Sequence, residues 1–480
     1  MRTIRWTQFA CAGVLAGCLA AWGPSAPEAA LTLHIDTQHP GAEIPSDFAG
    51  LSFEMETLLP GKDGSRYFAE SNKALIETFR NLGVRNLRIG GNTADRPSVP
   101  LPDAADVDSL FAFAKAAGAR VIFTFRLRAG GPQDAAPIAK HMVDRYGSNL
   151  LCFAIGNEPD IYSKTYAAYR DELKRYMAAF AEAGAGAAKF CGPGTTPSKP
   201  EWARDFAEEF GHSGRILFVT QHAYPGASGR EVQDGAAGRK AMLSPEWVDS
   251  YESFYRSFAP SAEKNAVPFR IEETNSYYHG GARDASDTFA AALWGLDYLH
   301  WWAMRGAAGI NFHTGDQVAA ADETTKCYYA TFLTSARGYV MQPLAYAIRA
   351  FELGGHGRVV PVRLQSAAAG LNVRSYAVLS SGGDLYVTVI NKEQGSGRNA
   401  MVTVVAGAPF RSAEILRLEC GGGVSAKSGV TLGASAIREN GGWSGGWQRV
   451  IGNIRQGTAT IGIPAASAAV LRFSMHAPSN

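Results

Sequence analysis

The stretch FAIGNEPD (153–160) runs from apolar residues straight into Asn157, Glu158 and Pro159. A chain laying down a buried strand has no packing reason to finish it with an amide and a carboxylate. Either the tip is simply wet, or the polar pair is held up for chemistry. The choice depends on what the strand belongs to.

Outward from this point, short β-like runs alternate with helical ones. The runs are FAGLSFEM (48–55), NLRIGG (86–91), RVIFTFRL (120–127), LCFAIGNE (151–158), KFCGPG (189–194), ILFVTQHAY (216–224), PFRIEETN (268–275) and AAGINFHT (307–314). Amphipathic patterns such as KALIETFRNLG and TYAAYRDELKRYMAAFAEAG lie between them, and PLAYAIRAFELGG closes the series. Strands apolar on both faces, each followed by a helix, are the mark of parallel βα units. Eight of them predict an α/β fold, a closed (β/α)8 TIM barrel. An open doubly wound sheet is the competing arrangement, but no GxGxxG follows the first strand.

Past residue 356 the period changes. LNVRSYAVLS, GDLYVTVINKE, NAMVTVVAG, AEILRLEC and AAVLRFSM alternate with Gly- and Ser-rich turns, which predicts a C-terminal β-sandwich domain. The early run LTLHIDT (31–37) has no helix after it and is expected to pair with that sandwich. The expected organisation is a leader over 1–30, an N-terminal strand region over 31–47, the catalytic barrel over 48–355 and the sandwich over 356–480.

The 480 residues, 46% hydrophobic and 19% charged, describe an ordinary globular chain. A net charge of +2 supplies no global field for nucleic acid or an anionic surface, so no nucleic-acid partner is expected. Residues 1–30 read as a secretory signal: Arg2 and Arg5 precede a short apolar run and a small-residue segment. The expected location is secreted or periplasmic. LAGC (15–18) also matches a lipoprotein box, which would anchor the chain to the cell envelope through Cys18. No other segment has the ~18 apolar residues a span requires. Cys152, Cys191, Cys327 and Cys420 are scattered, without a metal-type pair.

Barrel active sites are built at the carboxyl ends of the strands. The polar residues there are Glu54 and Glu56, Asn92 and Asp95, Asn157 and Glu158, Gln221, His222 and Tyr224, Glu272, Glu273 and Asn275, and His313 and Asp316. Two converging carboxylates amid hydroxyls, amides and aromatics suit glycosidic-bond hydrolysis, one carboxyl as proton donor and the other as attacking group. There is no HExxH or HxH for metal hydrolysis and no GxSxG elbow for a serine triad, so neither metal nor cofactor is expected. Glu158 is one candidate. For its partner, strand alternation puts Glu273 with Phe269 and Ile271, and Glu272 with Arg270 as a possible helix-facing structural pair. Both glutamates stay open on that argument. His222 and His313 read as hydrogen-bonded wall residues.

LRIGGNTADR, AIGNEPD, HAYPG, EETNSYYHGGA and GINFHTG resemble, in order and spacing, glycoside hydrolase family 79, which includes bacterial β-glucuronidases and, more distantly, heparanase. VTLGASAIRENGGWSGGWQ looks like that family's C-terminal β-domain. The resemblance implies a retaining exo-β-glucuronidase acting on carbohydrate with β-linked glucuronic acid. Glu158 would be the acid/base, Glu273 the nucleophile, and Asn157 the contact to the sugar 2-hydroxyl. It implies sugar contacts at Glu54 and Tyr224, and a carboxylate-receiving loop at Tyr278, His279 and Gly280 with Tyr328 or Tyr329. Asn92 joins this binding set from the strand-end list. Endo action on glycosaminoglycans, a retaining β-glycosidase for neutral sugars, and a non-catalytic carbohydrate-binding protein are the alternatives.

Overall fold

The computed structural model describes residues 28–319, 324–366, 370–395, 397–450, 454 and 457–476. Residues 1–27, Cys18 among them, lie outside these, while residues 28–30, expected to end the leader, belong to the first strand. Strand β1 (Glu28–Ile35) is followed by eight barrel strands: β2 (Ala49–Glu54), β3 (Asn86–Gly90), β4 (Arg120–Phe125), β5 (Leu150–Ile155), β6 (Phe190–Thr195), β7 (Ile216–Ala223), β8 (Phe269–Thr274) and β9 (Ile310–His313). Each pairs in parallel with the next, and β9 returns to β2 to close the barrel. The chain is a (β/α)8 barrel with an added β-sandwich.

Alternation explains how each strand is buried on both faces. Leu87, Ile89, Phe123, Phe153 and Ile271 pack with the helices in the large outer core. Ile122, Cys152, Ala154, Cys191 and Phe218 form a small apolar layer inside the barrel. Above and below that layer the interior is polar. At one level Arg270 donates to Asn311 Oδ1 (2.8 Å) and to the Ala308 carbonyl (3.0 Å), while Asn311 donates to Asn86 Oδ1 (2.8 Å).

This corrects the parity expectation for β8. Phe269 and Ile271 face the helices, and Arg270 and Glu272 point inward without bonding one another. Glu272 instead accepts from the Thr220 hydroxyl (2.8 Å). The pairing of β8 slips against both neighbours around residues 271–274. That bulge breaks the alternation and turns Glu273 inward as well.

In the sandwich, β1 runs parallel to Asn399–Val405 and antiparallel to Val362–Ser366, with Thr458–Ile463 completing a four-stranded sheet. The facing sheet has seven strands, with Leu385–Asn391, Ser467–Ser474 and Ser412–Cys420 adjacent at its centre. Leu31, Leu33 and Ile35 of β1 meet Val387, Val389 and Leu471 in a core separate from the barrel's.

Helix Phe289–Ala303 is apolar on all sides because it is enclosed between barrel and sandwich. Its one acidic residue, Asp297, is fully buried. Lys392 of the sandwich donates to it at 2.8 Å, the Tyr376 hydroxyl at 2.5 Å, and Arg374 lies at 3.5 Å. Burial alone would raise the Asp297 carboxyl, but the Lys392 and Arg374 charges and these bonds hold it below the usual range. Its stabilisation is therefore complete above the unfolded carboxylate range and lost as pH falls through the folded value. Asp297→Ala strands the Lys392 charge and should cost about 3–5 kcal/mol in denaturant unfolding. Asp297→Leu combined with Lys392→Met should recover most of that loss.

Candidate active site

The end of β5 bends sharply. Gly156 takes a φ of 82° and still donates to the Phe125 carbonyl (2.8 Å), continuing the parallel ladder. Asn157 N–H donates to Asp95 Oδ2 (2.6 Å) and Glu158 N–H to the Gly194 carbonyl (3.1 Å). Glu158 itself sits in the left-handed region (φ 46°, ψ 56°), a strain of about 1–3 kcal/mol for a residue with a side chain. These bonds hold it there, and Pro159 starts the next turn. The polar pair is thus aimed into the barrel mouth.

Asp95 organises the turn. It accepts from the N–H groups of Leu127 (2.6 Å), Arg128 (2.9 Å) and Asn157, and from the Tyr162 hydroxyl (2.7 Å). One carboxylate thereby ties together the loops after β3, β4 and β5.

Glu273 faces Glu158 across the mouth. One oxygen of each carboxylate and a ring nitrogen of His222 all lie within 4.8 Å of one another. Glu273 Oε2 accepts from Arg88 at 2.5 Å, and Oε1 from the Tyr224 hydroxyl at 2.9 Å. Arg88 also donates to Asn157 Oδ1 (2.8 Å) and Ser52 Oγ (3.0 Å), so one buried guanidinium spans both carboxylate-bearing strand ends. Sequence reasoning missed this residue. Its signal was a lone charge between Leu87 and Ile89 in an otherwise apolar strand, which must be paired if buried.

Two histidines flank the pair. His222 Nδ1 lies 3.0 Å from Glu158 Oε1; His313 Nδ1 lies 3.1 Å from Ser52 Oγ, and its Nε2 3.4 Å from Glu54 Oε1. Burial by itself would raise the Glu273 carboxyl. His313, His222 and Arg88 outweigh it, with the Tyr224 hydrogen bond adding to them, and hold it far below the ordinary carboxylate range. Conversely, burial disfavours charge on each imidazole, but Glu273 and Glu158 raise His222, and Glu273 and Glu54 raise His313. Burial, then Glu273, pushes the Tyr224 phenol well up, which keeps it a donor. Glu158, His222 and Glu273 offer a nitrogen and two oxygens of metal-ligand type, but Arg88 already neutralises Glu273 directly. The bonding pattern is that of a proton-bearing cluster.

Glu54 accepts from Thr93 N–H (2.8 Å) and the Thr93 hydroxyl (2.6 Å), and its other, buried oxygen lies 3.4 Å from His313 Nε2. Gly91, at φ 67°, allows this approach: a Cβ there would lie 2.4 Å from the Glu54 carboxylate. Asn92 accepts a long bond from Asn157 Nδ2 (3.4 Å). Glu56 and Asp316 are exposed and stand apart, Asp316 capping Thr334 N–H (2.7 Å).

The loop after β8 forms a second wall. The Asn275 amide donates to the His313 (3.0 Å) and Tyr329 (3.2 Å) carbonyls, joining this loop to the one after β9. The Tyr278 ring lies 6.4 Å from that of Tyr224, and the buried Tyr329 ring 6.3 Å from both Tyr224 and His313. His279, at φ 58°, has Nδ1 2.9 Å from the Ser228 hydroxyl. The Gly280 carbonyl accepts from the backbone of Tyr328 (2.6 Å) and Tyr329 (3.3 Å). Tyr328 is half-buried, with Lys326 Nζ 5.7 Å from its ring centre.

No protein-family model matches the sequence. The chain is 25% identical over 343 residues to a β-glucuronidase of Neurospora crassa, covering 60% of each chain. It is 26% identical over 210 residues to a β-glucuronidase of Aspergillus niger, covering 38% of this chain and 37% of that one. The chain thus spans less than two thirds of the length of these curated relatives. Among solved structures, a 4-O-α-L-rhamnosyl-β-D-glucuronidase from Fusarium oxysporum superposes with a TM-score of 0.69 at 19% identity, over 92% of this chain and 99% of that one. A family 51 arabinofuranosidase from Xanthomonas axonopodis pv. citri gives 0.67 at 15% identity, over 93% and 100%. Barrel and sandwich together therefore have solved counterparts.

Arg88→Met removes a fixed charge from Glu273 while keeping the apolar stem. The Glu273 carboxyl should then titrate at higher pH, read as a shifted 13C carboxyl midpoint in glutamate-labelled protein and assigned with Glu273→Gln. An unmoved midpoint would mean that the histidines alone hold Glu273 ionised.

Proposed function

We propose that the chain is a retaining, exo-acting β-glucuronidase of the family 79 type. The observation that carries this reading is the close approach of Glu158 and Glu273 at one barrel mouth. An oxygen–oxygen gap within 4.8 Å belongs with the ~5–5.5 Å carboxyl spacing of retention. Inversion needs about 6.5–9.5 Å to seat a water between the sugar and its base. The similarity to two curated β-glucuronidases supports the choice of sugar.

In this mechanism Glu273, ionised by its cationic surroundings, attacks the anomeric carbon while Glu158 protonates the leaving oxygen. The bond to the aglycone breaks and a glycosyl ester forms on Glu273. Esterification removes the Glu273 charge, and Glu158, now ionised, takes a proton from the water that cleaves the ester. The Tyr224 hydroxyl, bonded to Glu273 in the free protein, would contact the sugar beside the nucleophile. Asn157, held by Arg88, would supply an amide for the 2-hydroxyl, and the Glu54 oxygen beside His313 would accept from another hydroxyl. The sugar carboxylate would be received by the loop of Tyr278, His279 and Gly280 together with Tyr329, through charge-assisted hydrogen bonds. The aglycone leaves on the Glu158 side. The expected setting is outside the cytoplasm, secreted or periplasmic, or anchored through Cys18.

Aryl β-D-glucuronide should be turned over far faster than aryl glucoside, galactoside or arabinofuranoside. The first sugar released should be the β-anomer by 1H NMR; an α-anomer would replace retention with inversion. Glu158→Ala and Glu273→Ala should each lose several orders of magnitude in kcat. Added azide should restore turnover, giving the β-azide with Glu158→Ala and the α-azide with Glu273→Ala. Near-normal activity in either variant discards the assignment.

A further inference from the structure

Glu272 has no part in that mechanism, yet it is 1% exposed inside the barrel. An ionised carboxylate buried this deeply is costly unless a charge answers it. Its hydrogen bonds are to the Thr220 hydroxyl (2.8 Å) and the Cys191 thiol (3.6 Å), both neutral. Two groups able to carry positive charge answer it: Arg88, whose guanidinium interacts with the Glu272 charge, and His222, whose Nε2 lies 3.8 Å from Glu272 Oε1. That Nε2 is fully buried and has no hydrogen-bond partner. Gly194 packs against both: at φ 61°, a Cβ there would lie 2.3 Å from Glu272 Oε1 and 3.5 Å from His222 Nε2. A side chain at this position would displace the carboxylate from the imidazole.

His222 is therefore set between acidic groups on both edges. Glu158, from the end of β5, and Glu273, on β8, face Nδ1 at 3.0 and 3.8 Å, and Glu272 faces Nε2. Arg88 from β3 opposes its charge, and Tyr224, just past the end of β7, stays neutral. Cys191 on β6 also stays neutral, its thiol pushed up by the neighbouring Cys152 and by burial.

We propose that Glu272 is a positioning residue that keeps His222 doubly protonated and so sets when Glu158 holds or releases its proton. This rests on reading Glu158 as acid/base and Glu273 as nucleophile. The charge count gives the reason. Taken as charged, Glu54, Glu272 and Glu273 would balance Arg88, His222 and His313 while Glu158 holds its proton. When Glu273 is esterified and Glu158 ionised, the balance is again three against three. Without Glu272 the first state carries an excess positive charge, which expels a proton.

The test uses full-length protein with 15N-labelled histidine, following His222 by NMR against pH and assigning it with His222→Gln. Wild-type His222 should keep both protons to higher pH than Glu272→Gln, with the midpoint falling by about one unit. Glu272→Asp, which keeps the charge but withdraws it, should shift the same way by less, and it decides the question if Glu272→Gln does not fold. On aryl glucuronide the alkaline limb of kcat/KM should move to lower pH by a similar amount in Glu272→Gln. Unchanged His222 midpoints, or a neutral wild-type His222 across the range, overturn the proposal. If wild-type protein leaves aryl glucuronide intact, the substrate reading fails while the NMR midpoint still decides the role of Glu272.

Discussion

The ion pair between Arg88 and Glu273 is the constraint on which the site is built. A carboxylate beneath a barrel mouth has lost most of its water and stays ionised only if fixed charge replaces it. Arg88 provides that charge at 2.5 Å and also holds Asn157, so the two strand ends bearing Glu158 and Glu273 share one cation. The barrel brings β3, β5 and β8 into a closed ring, which is the only reason residues 88, 157 and 273 can meet.

Around this pair the protein arranges proton carriers rather than a single acid. His222 and His313 are each in contact with carboxylates, and each is drawn toward its charged form by them. Because the cluster is buried, the protonation of one member is felt by all the others. A reaction that deletes and restores the charge on Glu273 can then be answered by a proton moving on or off Glu158. The strained backbone at Glu158 fits this use, since it is pinned by its own N–H bond to Gly194 and by the bond of the preceding Asn157 to Asp95 rather than by its own preference.

The barrel was legible because eight short apolar runs with helices between them admit few architectures. The strand-end rule also named Glu158 and Glu273, which the structure brings together. The parity argument left Glu272 and Glu273 open and set Arg270 and Glu272 toward the helices, whereas both point inward and a bulge turns Glu273 inward against the alternation. A bulge leaves no mark in a six-residue strand. Arg88 was hidden by the opposite habit, since attention to strand ends overlooks a charge in mid-strand. The short strands Arg358–Val360, Val430–Leu432 and Gln448–Arg449 are edge or peripheral pieces of the sandwich, too brief for an alternating pattern to show.

In the proposed mechanism Glu273, and not its neighbour Glu272, attacks the sugar. Incubation with a 2-deoxy-2-fluoro-glucuronosyl fluoride, followed by peptide mass spectrometry, tests this directly, because the fluorine slows breakdown of the ester. The predicted result is one fluoroglucuronosyl unit per chain on Glu273, absent in Glu273→Gln. A label on Glu272, or none at all while an aryl glucuronide is still turned over, would contradict it.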